Sequence, residues 1–277
     1  MRIKYILFTA LLASSCAFTS QAQHSLTRLW ETEATLPVPE SVFYSAQNKV
    51  LYVAQIDGNP GEKDGKGGIA KVGLDGKIIN KDWITGLNAP KGMGVKGNKL
   101  YVTDLTEVVE IDIKAGKILK KHPVEGSQFL NDLSIDSKGN IYVSDSRTKK
   151  VHLISDGKVS TYVEGLTGPN GVLAVGSDLL IADSGTLKRL GTNKQMTVVA
   201  EGMEKSTDGI EEVKPGEYIV SCWAGVVYYV DSNGKAEKLL DTSADKINSA
   251  DIGYDSVKKV VYIPTFGKNS VVAYQLK

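Results

Sequence analysis

The sequence predicts an all-β fold, a six-bladed β-propeller, on three observations. Short apolar segments alternate with period two and are separated by Gly, Asn and Asp, the pattern of half-buried strands joined by tight turns. One sentence of sequence recurs six times, as PESVFY, PKGMGV, LNDLSI, PNGVLAV, TDGIEEV and SADIGY. These copies recur about every forty residues, and strands at that period give one four-stranded sheet per repeat, arranged radially. The first step is longer than the rest because of an insertion.

The stretch from Phe129 to Ser146, FLNDLSIDSKGNIYVSDS, shows the unit most clearly: an Asn-Asp pair, a strand, a DSKGN turn and a second strand. Within the second repeat, strands are expected over 92–95, 99–103, 107–113 and 117–124. The third repeat gives 132–135, 140–144, 150–155 and 158–163. Fourth strands recur over 77–83, 195–200 and 235–240, entered through Asp75-Gly76, Asp156-Gly157 and Asn233-Gly234, dipeptides that suit tight hairpins. The last repeat holds only three strands, 251–254, 259–264 and 270–276. The missing one is predicted at the other end of the chain, over 26–31, so that the N-terminal strand closes the last blade and neither terminus leaves an open sheet edge.

Length and charge narrow the function classes. The 277 residues are 42% hydrophobic and 23% charged, enough for a large core. A formal charge of +1 offers no basic excess to neutralise phosphates, so no nucleic-acid partner is expected. Residues 1–22 read as a secretory signal peptide: Arg2 and Lys4, an apolar run too short to cross a bilayer, then Ser20-Gln21-Ala22 before Gln23. Its removal leaves 31 basic against 32 acidic residues. Lipid attachment at Cys16 is the alternative, but the large aliphatic residue expected three positions earlier is Ala13. Residues 23–277 then form one propeller domain without a membrane span. The expected product is a monomer, periplasmic or secreted, acting on a small molecule. With Cys16 removed, Cys222 stands alone as a core thiol, and no internal disulfide is possible.

The first residues of the inner strands should ring one mouth of the central tunnel. They are Glu40, Lys91, Asn131, Asn170, Asp208 and Ala250. Two carboxylates and two carboxamides on four blades make a cage of hard oxygen donors suited to Ca²⁺, or another divalent cation, and not to zinc. Asn, Asp and Gly are also what any loop entering a strand prefers, and Asp75, Asp145, Asp183 and Asp231 read as turn residues. The insertion 58–68 emerges on the same face, either as a lid over the mouth or as a surface loop without a role.

Taken together, VPESVFY, LNDLSID, Pro169-Asn170-Gly171 and Asp208-Gly209 resemble the senescence-marker-protein/gluconolactonase (regucalcin-like) family. The resemblance implies a six-bladed propeller with a tunnel calcium held by Glu40, Asn170 and Asp208, and Asn131 as a fourth ligand or substrate contact. It implies hydrolysis of a lactone or other ester, with Asp208 catalytic and Asp132 orienting the site. The chain departs from the family pattern in its first-blade motif, which reads Glu40-Ser41-Val42 where Glu-Gly-Pro is usual, and at two further positions. Phe129 stands where sugar-lactonase members carry an Arg, and Lys91 brings a positive charge into the ring. Both are candidate substrate contacts. The alternative is a non-catalytic NHL-like propeller that binds a ligand or a protein.

Overall fold

The computed structural model describes residues 24–277; the expected leader 1–22, its cleavage site before Gln23, and Cys16 lie outside them. Six four-stranded antiparallel sheets make up the fold, and two 3₁₀ turns, Ser243–Asp245 and Phe266–Lys268, are its helical elements among the described residues. The inner strands are Pro39–Ser45, Pro90–Lys96, Leu130–Ile135, Pro169–Val175, Thr207–Lys214 and Gly253–Asp255. Each touches the inner strand of the next blade, and the last touches the first, which closes a ring. At the closure Ser41 bridges Asp251, with the Asp251 N–H donating to the Glu40 carbonyl at 2.9 Å.

Six apolar clusters hold the ring together, one at each seam between blades. Between blades four and five, for example, Leu180 and Leu187 pack against Tyr218, Val220 and Val226. Between blades one and two, Tyr52 and Ile69 pack against Leu100, Val102 and Ile111. Burial of apolar area on both faces of every sheet, at roughly 25 cal/mol per Å², is what favours ring over open chain.

The N-terminal strand is where the sequence places it. Leu26–Glu31 pairs antiparallel with the C-terminal strand Val271–Leu276. A bulge between Arg28 and Trp30 interrupts the expected alternation and leaves Leu29 49% exposed. Trp30 then reaches the first blade, its Nε1 donating to the Leu74 carbonyl at 3.0 Å.

Asp145 and Asp183 do more than the turns assigned to them. Each ends a second strand and accepts from the backbone of the loop that enters the inner strand of its own blade. Asp145 takes the Gln128 and Phe129 N–H groups at 2.8 and 3.2 Å. Asp183 takes those of Thr167 and Gly168 at 3.0 and 2.6 Å, and Asp104 does the same for Asn88 and Ala89 at 3.0 and 2.8 Å. These clasps fix the height at which blades two, three and four enter the tunnel. Cys222 closes strand Glu217–Cys222 as a buried thiol, and burial pushes it up to about 12.

Candidate functional site

In five blades the ladder between the first and second strands skips a step at the ring residue. The breaks fall between Pro39 and Ser41, Pro90 and Met93, Leu130 and Leu133, Pro169 and Val172, and Thr207 and Ile210. Such bulges free one or two residues from sheet pairing and re-aim their side chains. Hydroxyls of the second strands fill several of the vacated hydrogen bonds. Ser144 Oγ accepts from the Asp132 N–H at 2.9 Å. Ser221 Oγ accepts from the Gly209 N–H at 2.9 Å and donates to the Ala250 carbonyl at 2.7 Å.

The freed residues form two tiers. In the upper one Glu40, Lys91, Asn131, Asn170 and Asp208 line a single cavity of about 360 Å³, with Phe129 at its wall. Five blades therefore bring five predicted residues to one point. One residue on from the ring position of each blade, a lower tier holds Ser41, Gly92, Asp132, Gly171, Gly209 and Asp251. Glycine is required there because neighbouring strands come so close: a Cβ on Gly171 would lie 1.9 Å from the Asp208 carbonyl oxygen, and one on Gly92 would lie 2.2 Å from Asp132 Oδ1. Asp132 sits in this tier, below the cavity. Its Oδ2 accepts from the Val172 N–H at 2.7 Å and ties blade three to blade four.

Two carboxylates escaped the sequence reading. Asp251, one residue past the ring position of its blade, accepts from Ser41 Oγ. Glu211 lies further down, and with Asp132 and Asp251 it lines a second chamber of about 190 Å³. The signal for Asp251 was present, since it stands one residue after Ala250 as Asp132 stands one after Asn131.

This column of acids is short of positive charge. Desolvation lifts Glu40 to about 8 against the opposing pull of Lys91, with Asp251 adding to the rise. Asp208 and Asp132 are raised well above the usual carboxylate range, by burial first and then by the other tunnel carboxylates. Burial also lifts Glu211 to about 8 and Asp251 to about 7. Three oxygens are orphaned as well: Glu40 Oε2, Asn170 Oδ1 and Asp208 Oδ1 are buried without a hydrogen-bond partner, and all three residues line the upper cavity. Asn131 is anchored by its Nδ2, which donates to Ser146 Oγ at 3.1 Å and leaves the carbonyl oxygen as its acceptor for the cavity. Among the described residues no group of three His, Cys, Asp or Glu is placed to hold a metal. A cation here would need the mixed carboxylate and carboxamide set of the ring, a donor chemistry that fits Ca²⁺.

Lys91 is buried and already engaged. Its Nζ donates to the Ala89 carbonyl at 2.9 Å and to the Pro60 carbonyl at 3.3 Å, and it lies 4.4 Å from the centre of the Phe129 ring. Burial lowers its pKa, against the opposing effect of Glu40 and Asp104. Through Pro60, Lys91 fastens the insertion over the cavity, and Lys63 Nζ pins the same loop to Thr106 Oγ1 at 2.9 Å. Of the insertion, Pro60 reaches the cavity lining, so this loop borders the mouth. Substituting Lys91→Met should raise tryptic cleavage at Lys63 and Lys66 about tenfold, the worth of one charged hydrogen bond. Unchanged cleavage would show that Lys91 does not hold the loop.

Of the aromatic residues lining the cavity, Phe129 was expected, and Trp223 and Phe266 were not. Trp223 and Phe266, from blades five and six, meet edge to face with centroids 5.5 Å apart. Trp223 sits in a turn and Phe266 opens the 3₁₀ turn Phe266–Lys268, both outside the strand repeat.

No protein-family model matches the chain, and no curated protein matches it in sequence. Solved structures do match in shape. A protein described as a candidate gluconolactonase aligns with a TM-score of 0.68 at 14% identity, over 93% of each chain. A streptogramin B lyase aligns with a TM-score of 0.67 at 12% identity, over 93% of this chain and 100% of its own. Virginiamycin B lyase from Staphylococcus aureus, in an inactive form with quinupristin, gives 0.65 at 13% identity, over 91% and 99%. At these identities the likeness establishes what the chain shares with all three: the six-bladed propeller.

Proposed function

We propose that the protein is a calcium-dependent hydrolase of a lactone or other ester, of the gluconolactonase-like kind, acting outside the cytoplasm. The observation that carries this reading is the set of orphaned oxygens on Glu40, Asn170 and Asp208, which converge on one cavity from three blades. Buried acceptors without donors are costly, and an oxygen-seeking cation would satisfy all three at once. Glu40, Asn170 and Asp208 would hold it, with Asn131 as the fourth ligand or a substrate contact.

A bound Ca²⁺ would supply polarisation of the scissile carbonyl and neutralise the charge that develops on it. The protein's own groups do the rest. Asp208 takes a proton from water, the water oxygen bonds to the acyl carbon, and the acyl C–O bond breaks. The proton then passes to the departing oxygen, and the products are a carboxylic acid and an alcohol. Asp132 holds the strands of blades three and four in register beneath the site, and the Pro60 loop keeps bulk water off it.

A panel of lactones and aryl esters, assayed with calcium and with chelator, tests the proposal. Turnover should appear with calcium and vanish on chelation. Chelator-resistant turnover would reject the metal role. A calcium-free tunnel with no turnover would favour the binding module.

A further inference from the structure

The upper cavity has two unlike halves. Its floor is the ring of oxygens and Lys91, and its wall is apolar, made of Ile56, Pro60, Phe129, Trp223 and Phe266. These five residues come from loops of blades one, three, five and six, so the wall surrounds the mouth.

Trp223 is 44% exposed, although its backbone is pinned on both sides: its N–H donates to the Ser206 carbonyl at 2.8 Å, and its carbonyl accepts from Asn248 Nδ2 at 2.8 Å. A rigidly mounted indole left open inside a concavity is a binding surface. Phe266, against which it rests, has φ of 49°, a left-handed conformation costly for an aromatic residue. It is kept there by packing on Ile56, Ala89 and Leu105 at the base of the mouth. Two polar groups near this wall are engaged by the backbone or by a clasping carboxylate. The Phe129 N–H is held by Asp145, and Ser206 Oγ accepts from the Ala224 N–H at 3.0 Å. The wall's exposed area is chiefly carbon, which suits a flat apolar ring better than a polyhydroxylated one.

We infer that the substrate is an aryl ester or an aryl-fused lactone, its flat ring lying against Trp223 and Phe266 while its carbonyl meets the oxygen-lined floor. The inference rests on the hydrolase reading for the reaction only. Water would add to the acyl carbon, the bond to the phenolic oxygen would break, and that oxygen would leave with the proton as a phenol.

Dihydrocoumarin, δ-valerolactone and glucono-δ-lactone, assayed with calcium, separate the possibilities. The expected kcat/KM for dihydrocoumarin exceeds that for either of the others at least tenfold, and Trp223→Ala should bring the ratios close to one. In parallel, dihydrocoumarin should quench tryptophan emission saturably in the native protein and not in Trp223→Phe. Neither Trp30 nor Trp83, the other two tryptophans, lines the cavity. Quenching without hydrolysis of any of the three would uphold the aromatic site and reject the hydrolase. Equal or better hydrolysis of δ-valerolactone or glucono-δ-lactone would uphold the hydrolase and reject the aromatic site. Neither hydrolysis nor quenching would end both.

Discussion

Asp208→Asn is expected to lower turnover by roughly 10³-fold or more, because general-base assistance alone contributes about 10²- to 10⁴-fold. The substitution also removes one of only two carboxylates in the upper ring. Loss of activity through unfolding would be a trivial explanation, and a melting measurement on the variant separates the two. Asp208 is 1% exposed, and its charged form is disfavoured by burial, Glu40, Asp251 and Asp132. A neutral isostere relieves that repulsion, so the calcium-free variant should melt at or above the temperature of the native protein. The expected signature is therefore a dead enzyme of undiminished stability. An Asp208→Asn protein with full turnover would remove Asp208 from the mechanism.

The second large effect is a pH-dependent response to calcium. Glu40 and Glu211 rise from 4.5 to about 8 on folding, and Asp251 from 3.8 to about 7. Between those limits the folded chain binds more protons than the unfolded one. Its stability without metal is then fully present below about pH 4 and is lost progressively as pH rises to about 8. Calcium has the opposite dependence. Held as proposed, it would compete with the protons on Glu40 and Asp208, so its affinity should climb over the same range, with protons released on binding. Melting temperatures measured with chelator and with millimolar calcium should coincide near pH 5 and diverge by several degrees at pH 8. Parallel curves would show that the tunnel acids do not hold the ion.

The architecture was legible because it is repetitive. Six copies of one strand-and-turn sentence specify six blades, and a shortfall of one strand at the C-terminus locates its partner at Leu26–Glu31. The upper ring was legible for the same reason, since one register position of each copy carries the side chain that faces the axis. The bulges were not. They need the hydroxyls of Ser144 and Ser221 on a neighbouring strand, a relation between strands that alternation does not encode. Asp145 and Asp183 were assigned to turns because a lone Asp near a turn looks the same whether it caps that turn or clasps a loop some sixteen residues away. Trp223 and Phe266 stayed hidden because loops carry no period, and proximity across blades five and six appears only when the ring closes.

The joining of the two chain ends has a bearing on how the molecule comes into being. The Ser25 N–H donates to the Lys277 carbonyl at 3.1 Å, and the Lys277 N–H returns the bond to Ser25 at 3.0 Å. The strand Leu26–Glu31 must therefore wait for Val271–Leu276, and five sheets can assemble while the sixth stays unlatched. Pairings between residues so distant in sequence are slow to form. Until Leu26–Glu31 meets Val271–Leu276 the last blade lacks its outer strand, so the latch is the step that turns a row of finished sheets into a shut circle.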